Sequence, residues 1–215
     1  FREKADSSLL DAAPFSQTDF GPSSKNLDKL ILLPLQNSLH WSFKVDCGYA
    51  DQLDFLMDIL AKTPKEIGIV CTQYTAPIGR ETPLQTNTGQ KLLQAHENLV
   101  HLDAFNAIDN VSQYLLPLVD GVCSLSSSVG AQALATEAAL LVPERASTYL
   151  SPFADCPAEK YFSTGLATPS QDTRDAVIGS LLTRLMPLWT KIARKPGFLS
   201  NYIQAIHERA QDGKT

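Results

Sequence analysis

The sequence lacks the signatures of the common metal and nucleotide sites. It contains no GxGxxG and no P-loop pattern, which disfavours the common dinucleotide-binding and P-loop classes. Its four histidines show neither HExxH spacing nor carboxylates at ligand spacing, so no metal site is predicted. The four cysteines form no CxxC pair, which argues against a zinc knuckle and a dense disulfide framework. These cysteines are Cys47, Cys71, Cys123 and Cys156.

Long apolar runs and blocks of basic residues are also missing. No run approaches the ~18 apolar residues of a membrane-spanning helix, and no charged-then-apolar leader opens the chain. With 18 basic and 23 acidic residues, the net charge of −5 argues against nucleic acid or an anionic membrane as the main partner. What is present is a hydrophobic fraction of 44% in 215 residues. This composition excludes a disordered chain and predicts one full domain with appendages.

The cysteines also indicate the redox state of the compartment in which the protein resides. Cys71 and Cys123 lie inside apolar, strand-like runs, where a reduced thiol behaves as a small buried hydrophobe. We therefore expect reduced thiols and a reducing compartment. A chain that starts at Phe1 is further expected to be a piece of a longer protein.

Strand and helix patterns alternate along the middle of the chain. Short apolar runs predict strands, and apolar residues at helical spacing between them predict helices. The strands are expected at 30–35, 67–71, 99–102, 121–125 and 139–142, and the helices at 53–60, 90–96, 111–118 and 129–137. This order predicts a doubly wound α/β fold with a parallel sheet covered on both faces.

Three segments follow from this pattern. Residues 1–27 are interpreted as a lead-in or linker, and residues 28–153 as the Rossmann-like domain. Residues 154–215 are expected to pack on it as helices, with apolar stripes over 177–192 and 199–206.

Ligands of such sheets bind at the carboxyl ends of the strands, and one loop there carries a distinctive motif. Ser126, Ser127 and Ser128 stand between a strand and a helix, where unpaired N–H groups and the helix dipole favour an anion. Gly130 in the first turn leaves room for a phosphate. The alternative is that the serines are simply N-caps. Ala131, in place of Glu or Gln, excludes a capping box at Ser128.

The same loop has the strand–Ser–x–Gly–helix layout of a nucleophile elbow, with Ser126 where the first glycine would be. A hydrolase triad would then use Asp155 or Asp172 together with His207. His207 falls in a predicted helix and no glycine-rich oxyanion segment follows an early strand, so this hypothesis is the least favoured.

Three segments resemble one known family. They are residues 30–36, the helix opening at 51–56 and above all 115–134. Together they resemble the C-terminal, donor-binding half of GT-B glycosyltransferases of the bacterial capsular-polysaccharide type. A strand that ends in a short loop with a tyrosine looks like 140–149, and the resemblance covers about residues 28–153.

The resemblance implies roles for particular residues. In that family the serines after the fourth strand hold the phosphate of a nucleotide-sugar. That role carries over to a group of five residues: Ser126, Ser127, Ser128, Val129 and Gly130. Weaker donor-binding candidates are Gln36, His40, Gln73, Tyr74, Gln132 and Tyr149. A His-Pro pair that relatives carry after the second strand is replaced here by Thr72-Gln73-Tyr74.

The resemblance also implies an activity and partners. The chain is expected to be part of an enzyme that transfers sugar from a CMP-, UDP- or GDP-sugar to a glycan or lipid-linked glycan acceptor, without metal or bound cofactor. The catalytic base is expected in a missing N-terminal GT-B domain. The implied location is the cytoplasm, including peripheral attachment at the inner membrane. Alternatives are a nucleotide-sugar 2-epimerase, which Gln132 also suits, and a noncatalytic nucleotide-binding or scaffold module.

Overall fold

A computed structural model describes residues 15–20, 27–165 and 171–180 of the chain. The described residues fall into two units, one that extends to Ser170 and one that begins at Gln171. The first unit contains a six-stranded parallel sheet in the order β3-β2-β1-β4-β5-β6. Its strands are β1 (Lys29–Pro34), β2 (Ile67–Thr72), β3 (Leu99–Val100), β4 (Gly121–Cys123), β5 (Ala139–Val142) and β6 (Cys156–Pro157).

Helices connect the strands. In the first unit they are α1 (Trp41–Asp46), α2 (Gln52–Lys62), α3 (Asn87–Ala95), α4 (Val111–Leu115), α5 (Ser128–Ala133) and α6 (Ala158–Thr164). Short 3₁₀ turns occupy Gln17–Phe20, Pro83–Gln85, Asp103–Ala107, Leu116–Leu118 and Ser151–Phe153. The second unit contains α7 (Gln171–Ser180). The predicted doubly wound, Rossmann-like α/β fold is confirmed. None of the helices in the described ranges is long and apolar enough to cross a membrane.

The chain runs outward from β1 through β2 to β3 and then crosses back to β4, which lies on the other side of β1. β1 pairs in parallel with β2 on one side and with β4 on the other. Every residue of β2 is buried, and so is every residue of β1 after Lys29, as expected of parallel strands covered on both faces. The reversal of strand order next to β1 opens the crevice in which folds of this class bind ligands.

Local signals explain where several helices begin and end. The Asp51 carboxylate accepts hydrogen bonds from Leu53 N at 2.9 Å and Asp54 N at 2.8 Å, so it caps α2. The helix predicted over 111–118 ends early, because Pro117 has no N–H to continue it and Leu116–Leu118 is a 3₁₀ turn.

Two other elements also differ from the prediction. The helix predicted over 129–137 ends at Ala133, whose carbonyl accepts the Thr136 hydroxyl at 3.0 Å. This side-chain bond competes with helix continuation. The sheet continues beyond residue 153, since Cys156 of β6 pairs with Leu141 of β5. Two residues are too few to produce a recognisable strand pattern.

Parts of the prediction fall outside the described residues. These parts are most of the lead-in, most of the 177–192 stripe and all of the 199–206 stripe. The four cysteines lie in the described part and are buried. Burial raises the pKa of the Cys71 and Cys123 thiols well above the ordinary value.

Candidate functional site

A pocket of about 380 Å³ opens at the carboxyl ends of β1, β2 and β4. This volume lies within the range of pockets that hold small molecules, and the position is the crevice where strand order reverses. Four segments line it: residues 34–36, 73–77, 108–113 and 127–129. The first, second and fourth segments follow β1, β2 and β4, so strand ends place their side chains together.

About half of the predicted site residues line the pocket. Those that line it are Gln36, Gln73, Tyr74, Ser127, Ser128 and Val129. Those that do not line it are His40, Ser126, Gly130, Gln132 and Tyr149. The three neighbouring serines thus divide between the pocket and the protein interior.

Each serine of the motif has a different environment. The Ser127 hydroxyl accepts a hydrogen bond from Val129 N at 3.3 Å, so Ser127 is the N-cap of α5. Ser126 is buried, and its hydroxyl donates to Gln36 Oε1 at 3.1 Å. Ser128 is exposed, and its hydroxyl makes no hydrogen bond to a residue in the described ranges. Ser128 therefore presents a hydroxyl with no hydrogen bond in the described ranges, and Ser127, which only accepts, keeps its own proton to donate.

Gly130 serves packing within the protein. A Cβ placed there would lie 2.6 Å from Leu150 Cδ1 and 2.8 Å from both Cβ and Oγ of Ser124. Ser124 and Leu150 are buried. The space beside this glycine is thus filled by protein atoms, which corrects the expected reason for it.

Gln36 makes hydrogen bonds to other elements at the strand-order reversal and also lines the pocket. Its backbone N–H donates to Gln52 Oε1 at 2.9 Å, and its own Oε1 accepts from Ser126. The Gln36 side-chain nitrogen has no hydrogen-bond partner among the described residues, so it is a donor available at the pocket wall.

Both polar atoms of the Gln73 side chain are hydrogen-bonded within the protein. Its Oε1 accepts from Leu84 N at 2.7 Å, and its Nε2 donates to Asn106 Oδ1 at 3.0 Å. The neighbouring His101 donates from Nδ1 to the Cys71 carbonyl at 2.8 Å and contacts Gln73 Nε2 through its own Nε2. Burial lowers the pKa of His101. These contacts indicate a structural role for Gln73 and His101, because they anchor the loop after β2.

Tyr74 forms an accessible wall of the pocket. Its side chain is 37% exposed, while its carbonyl accepts from Glu81 N at 2.9 Å. The Glu81 carboxylate accepts from both the backbone N–H and the hydroxyl of Ser38, at 2.7 and 2.6 Å. The loop after β2 is therefore attached to the loop after β1, which holds the tyrosine ring at the pocket.

Sequence reasoning missed the segment 108–113. Asn110 has a left-handed backbone with φ of 55°, and Ser112 Oγ lies 2.7 Å from Thr72 Oγ1 of β2. The available signal was the Asp109-Asn110 pair before an apolar helical stretch, since such residues favour turns and tolerate the left-handed region. Asp109 supplies a carboxylate to the pocket lining, whose described residues include no Lys, Arg or His.

Two other predicted residues, Tyr149 and His40, lie near Ser126 outside the pocket. The Tyr149 hydroxyl donates to the carbonyls of Ser126 and Ser127, each at 3.4 Å, and burial raises its pKa. His40 reaches Ser126 through Ser42. Gln132, half-buried on α5, makes no side-chain hydrogen bond within the described ranges.

The structure gives no support to the elbow triad. Asp155 accepts a hydrogen bond from Leu140 N at 2.7 Å and so belongs to the junction of β5 and β6. Asp172 lies in the second unit, and His207 lies outside the described residues. Within the described ranges, no group of three His, Cys, Asp or Glu side chains could hold a metal ion.

A larger, open hollow of about 820 Å³ lies at the other edge of the sheet. Lys65 and Asn98, which line it, precede β2 and β3 and so mark the amino ends of the strands. It contains none of the predicted site residues. We favour the smaller pocket because ligands of this fold class bind at the carboxyl ends.

Compared with known proteins, the chain matches no protein-family model and no curated protein at significant similarity.

Proposed function

We propose that this chain is the donor-binding domain of a GT-B-type glycosyltransferase that acts on a bacterial surface polysaccharide. One observation carries the proposal: the pocket at the strand-order reversal, between the ends of β1 and β4, is lined by Gln36, Tyr74 and Ser128 from three separate loops. The donor is a CMP-, UDP- or GDP-sugar, and the acceptor is a glycan or lipid-linked glycan.

Charge suggests how the donor lies in the pocket. Asp109 is the charged residue of the lining, so the phosphates keep away from it and bind the neutral donors of Ser128 and Gln36. The nucleoside then lies toward Asp109, whose carboxylate accepts hydrogen bonds from ribose hydroxyls or base amino groups. The ring of Tyr74 packs against the base.

The same donors would act in the transfer step. As the bond from the sugar to the phosphate breaks, negative charge grows on the departing nucleotide. Preorganised donors at Ser128 and Gln36 stabilise that charge in the transition state. The base that deprotonates the acceptor is supplied by a separate N-terminal domain, so this chain alone binds the donor without transferring sugar.

A noncatalytic nucleotide-binding module is the second candidate. It is favoured by the absence of His, Lys and Arg among the described residues that line the pocket, which leaves no basic side chain there to contact a bound phosphate. The two candidates predict the same binding by this chain. They differ in whether adding an N-terminal domain yields transfer.

Calorimetry with CMP, UDP and GDP tests the shared prediction. We expect weak but measurable binding of at least one nucleotide. A hydrogen bond to a charged group is worth about 1.5–3 kcal/mol, so Ser128→Ala should weaken binding at least tenfold. Ser163→Ala is the matched control, because Ser163 is exposed and its hydroxyl donates to the Lys160 carbonyl on α6. Folded protein that binds no nucleotide at millimolar concentration contradicts the proposal.

A further inference from the structure

A row of side-chain hydrogen bonds connects the exposed His40 to the pocket wall. His40 Nδ1 lies 2.7 Å from Ser42 Oγ, and Ser42 Oγ lies 3.0 Å from Ser126 Oγ. Ser126 Oγ in turn lies 3.1 Å from Gln36 Oε1. Both serines are buried, so the bond between them is sheltered from water, whereas the bonds at the two ends of the row are part-buried.

The direction of every bond in the row follows from its last member. A carboxamide oxygen only accepts, so Ser126 donates its single proton to Gln36. Ser126 must then accept from Ser42, which uses the one proton of that hydroxyl. Consequently His40 donates to Ser42, and the proton of the neutral imidazole resides on Nδ1. The Nε2 atom of His40 is left with a lone pair.

We propose that Ser42 is a positioning residue that holds His40 in the Nδ1–H tautomer, so that Nε2 accepts a hydrogen bond from a hydroxyl of the donor's glycosyl group. This inference rests on the proposed function. A lone pair on Nε2 repels phosphate oxygens, which are acceptors, and suits a hydroxyl. Among the parts of a nucleotide-sugar, the ribose and the glycosyl group carry hydroxyls.

The location of His40 selects the glycosyl group over the ribose. His40 is exposed and does not line the pocket. Ser127, which directly follows Ser126 of the row, does line the pocket. The group to be transferred must remain accessible to the acceptor, so it has to project from the pocket. Trp41, 69% exposed and with its ring centroid 6.0 Å from that of His40, offers an apolar surface at the same place.

Nitrogen-15 NMR of the full chain tests the tautomer directly. At mildly alkaline pH we expect the His40 proton on Nδ1. His40→Ala identifies the signals by their loss. Ser42→Ala should shift the proton toward Nε2, and Ser42→Thr, which keeps the hydroxyl, should restore Nδ1–H. An Nε2–H tautomer in the unmodified protein overturns the proposal even if Ser42→Ala fails to fold.

Calorimetry with paired probes tests the sugar contact. The pairs are UDP with UDP-glucose, GDP with GDP-mannose and CMP with CMP-N-acetylneuraminate. His40→Ala should weaken binding of the sugar-bearing member about threefold to tenfold and change binding of the bare nucleotide less than twofold. His96→Ala, at the opposite edge of the sheet, is the control.

The outcomes separate the two proposals. Equal weakening of both members of a pair assigns the hydrogen bond to the nucleotide, through its ribose or its base, and overturns the glycosyl contact. Unchanged binding of both members overturns it as well. If no probe binds the unmodified protein, the proposed function fails and the sugar contact fails with it, while the NMR result still decides whether Ser42 sets the tautomer.

Discussion

Replacing Gly130 by alanine tests whether this glycine is needed for packing inside the protein or for ligand binding. The new methyl carbon would stand 2.6 Å from Leu150 Cδ1 and 2.8 Å from Ser124 Cβ, well inside the usual contact distance of about 3.5–4 Å. The Leu150 methyl can move within a buried environment, but Ser124 follows β4 directly and its shift would disturb the sheet end.

The size of the effect follows from two opposed contributions. Overpacking a core typically costs about 1–3 kcal/mol, and alanine regains up to ~1 kcal/mol of helix propensity over glycine. We therefore expect a net destabilisation of about 1–2 kcal/mol. For a chain of this size, that lowers the melting temperature by about 2–8 °C.

Thermal and urea unfolding followed by circular dichroism measures this change. Gly179→Ala in α7 is the matched control, since a Cβ there has no atom of the described residues within 4 Å, and we expect it to be neutral or stabilising. A Gly130→Ala protein that is as stable as the original but has lost nucleotide binding would refute the packing argument. That result would return Gly130 to the ligand site.

Two further predictions concern buried titratable groups. Burial lowers the pKa of His101 in the folded state, so the unfolded chain binds a proton more readily and the free energy of unfolding should fall as pH drops below about 6.5. Urea unfolding across this range should show the fall, and His101→Gln should make the free energy of unfolding depend less steeply on pH. An unchanged pH dependence in His101→Gln would contradict the assignment of the effect to His101. Burial also raises the pKa of Cys71 and Cys123, so native alkylation by iodoacetamide should be slow and nonreducing mass spectrometry should find no disulfide. Rapid modification of either thiol in folded protein would count against its burial.

The fold was predictable where burial produces a clear pattern. β1 and β2 are continuous apolar runs because both faces of each are covered, and such runs are visible in the sequence. β6 contains two residues, too few for a recognisable pattern, and β3, predicted over 99–102, contains only Leu99–Val100. α5 ends early where the Thr136 hydroxyl donates to the Ala133 carbonyl three residues before it, a local bond that the spacing of apolar residues does not reveal.

The site was predictable to the extent that it depends on strand ends. Gln36 and Ser126 are 90 positions apart, yet each follows a strand next to the strand-order reversal, and their side chains meet. The commitment of Gln73 to Leu84 and Asn106 could not be foreseen, because those partners come from irregular loops. Sequence position places a residue at the pocket but does not show whether its polar atoms are free.

Chemical-shift mapping shows which edge of the sheet binds a nucleotide. Amide signals of the labelled chain would be followed while CMP, UDP and GDP are added in turn. We predict that the largest changes fall on the pocket segments 34–36, 73–77, 108–113 and 127–129. Changes centred instead on 94–98, at the amino ends of the strands, or no changes with any nucleotide would contradict it.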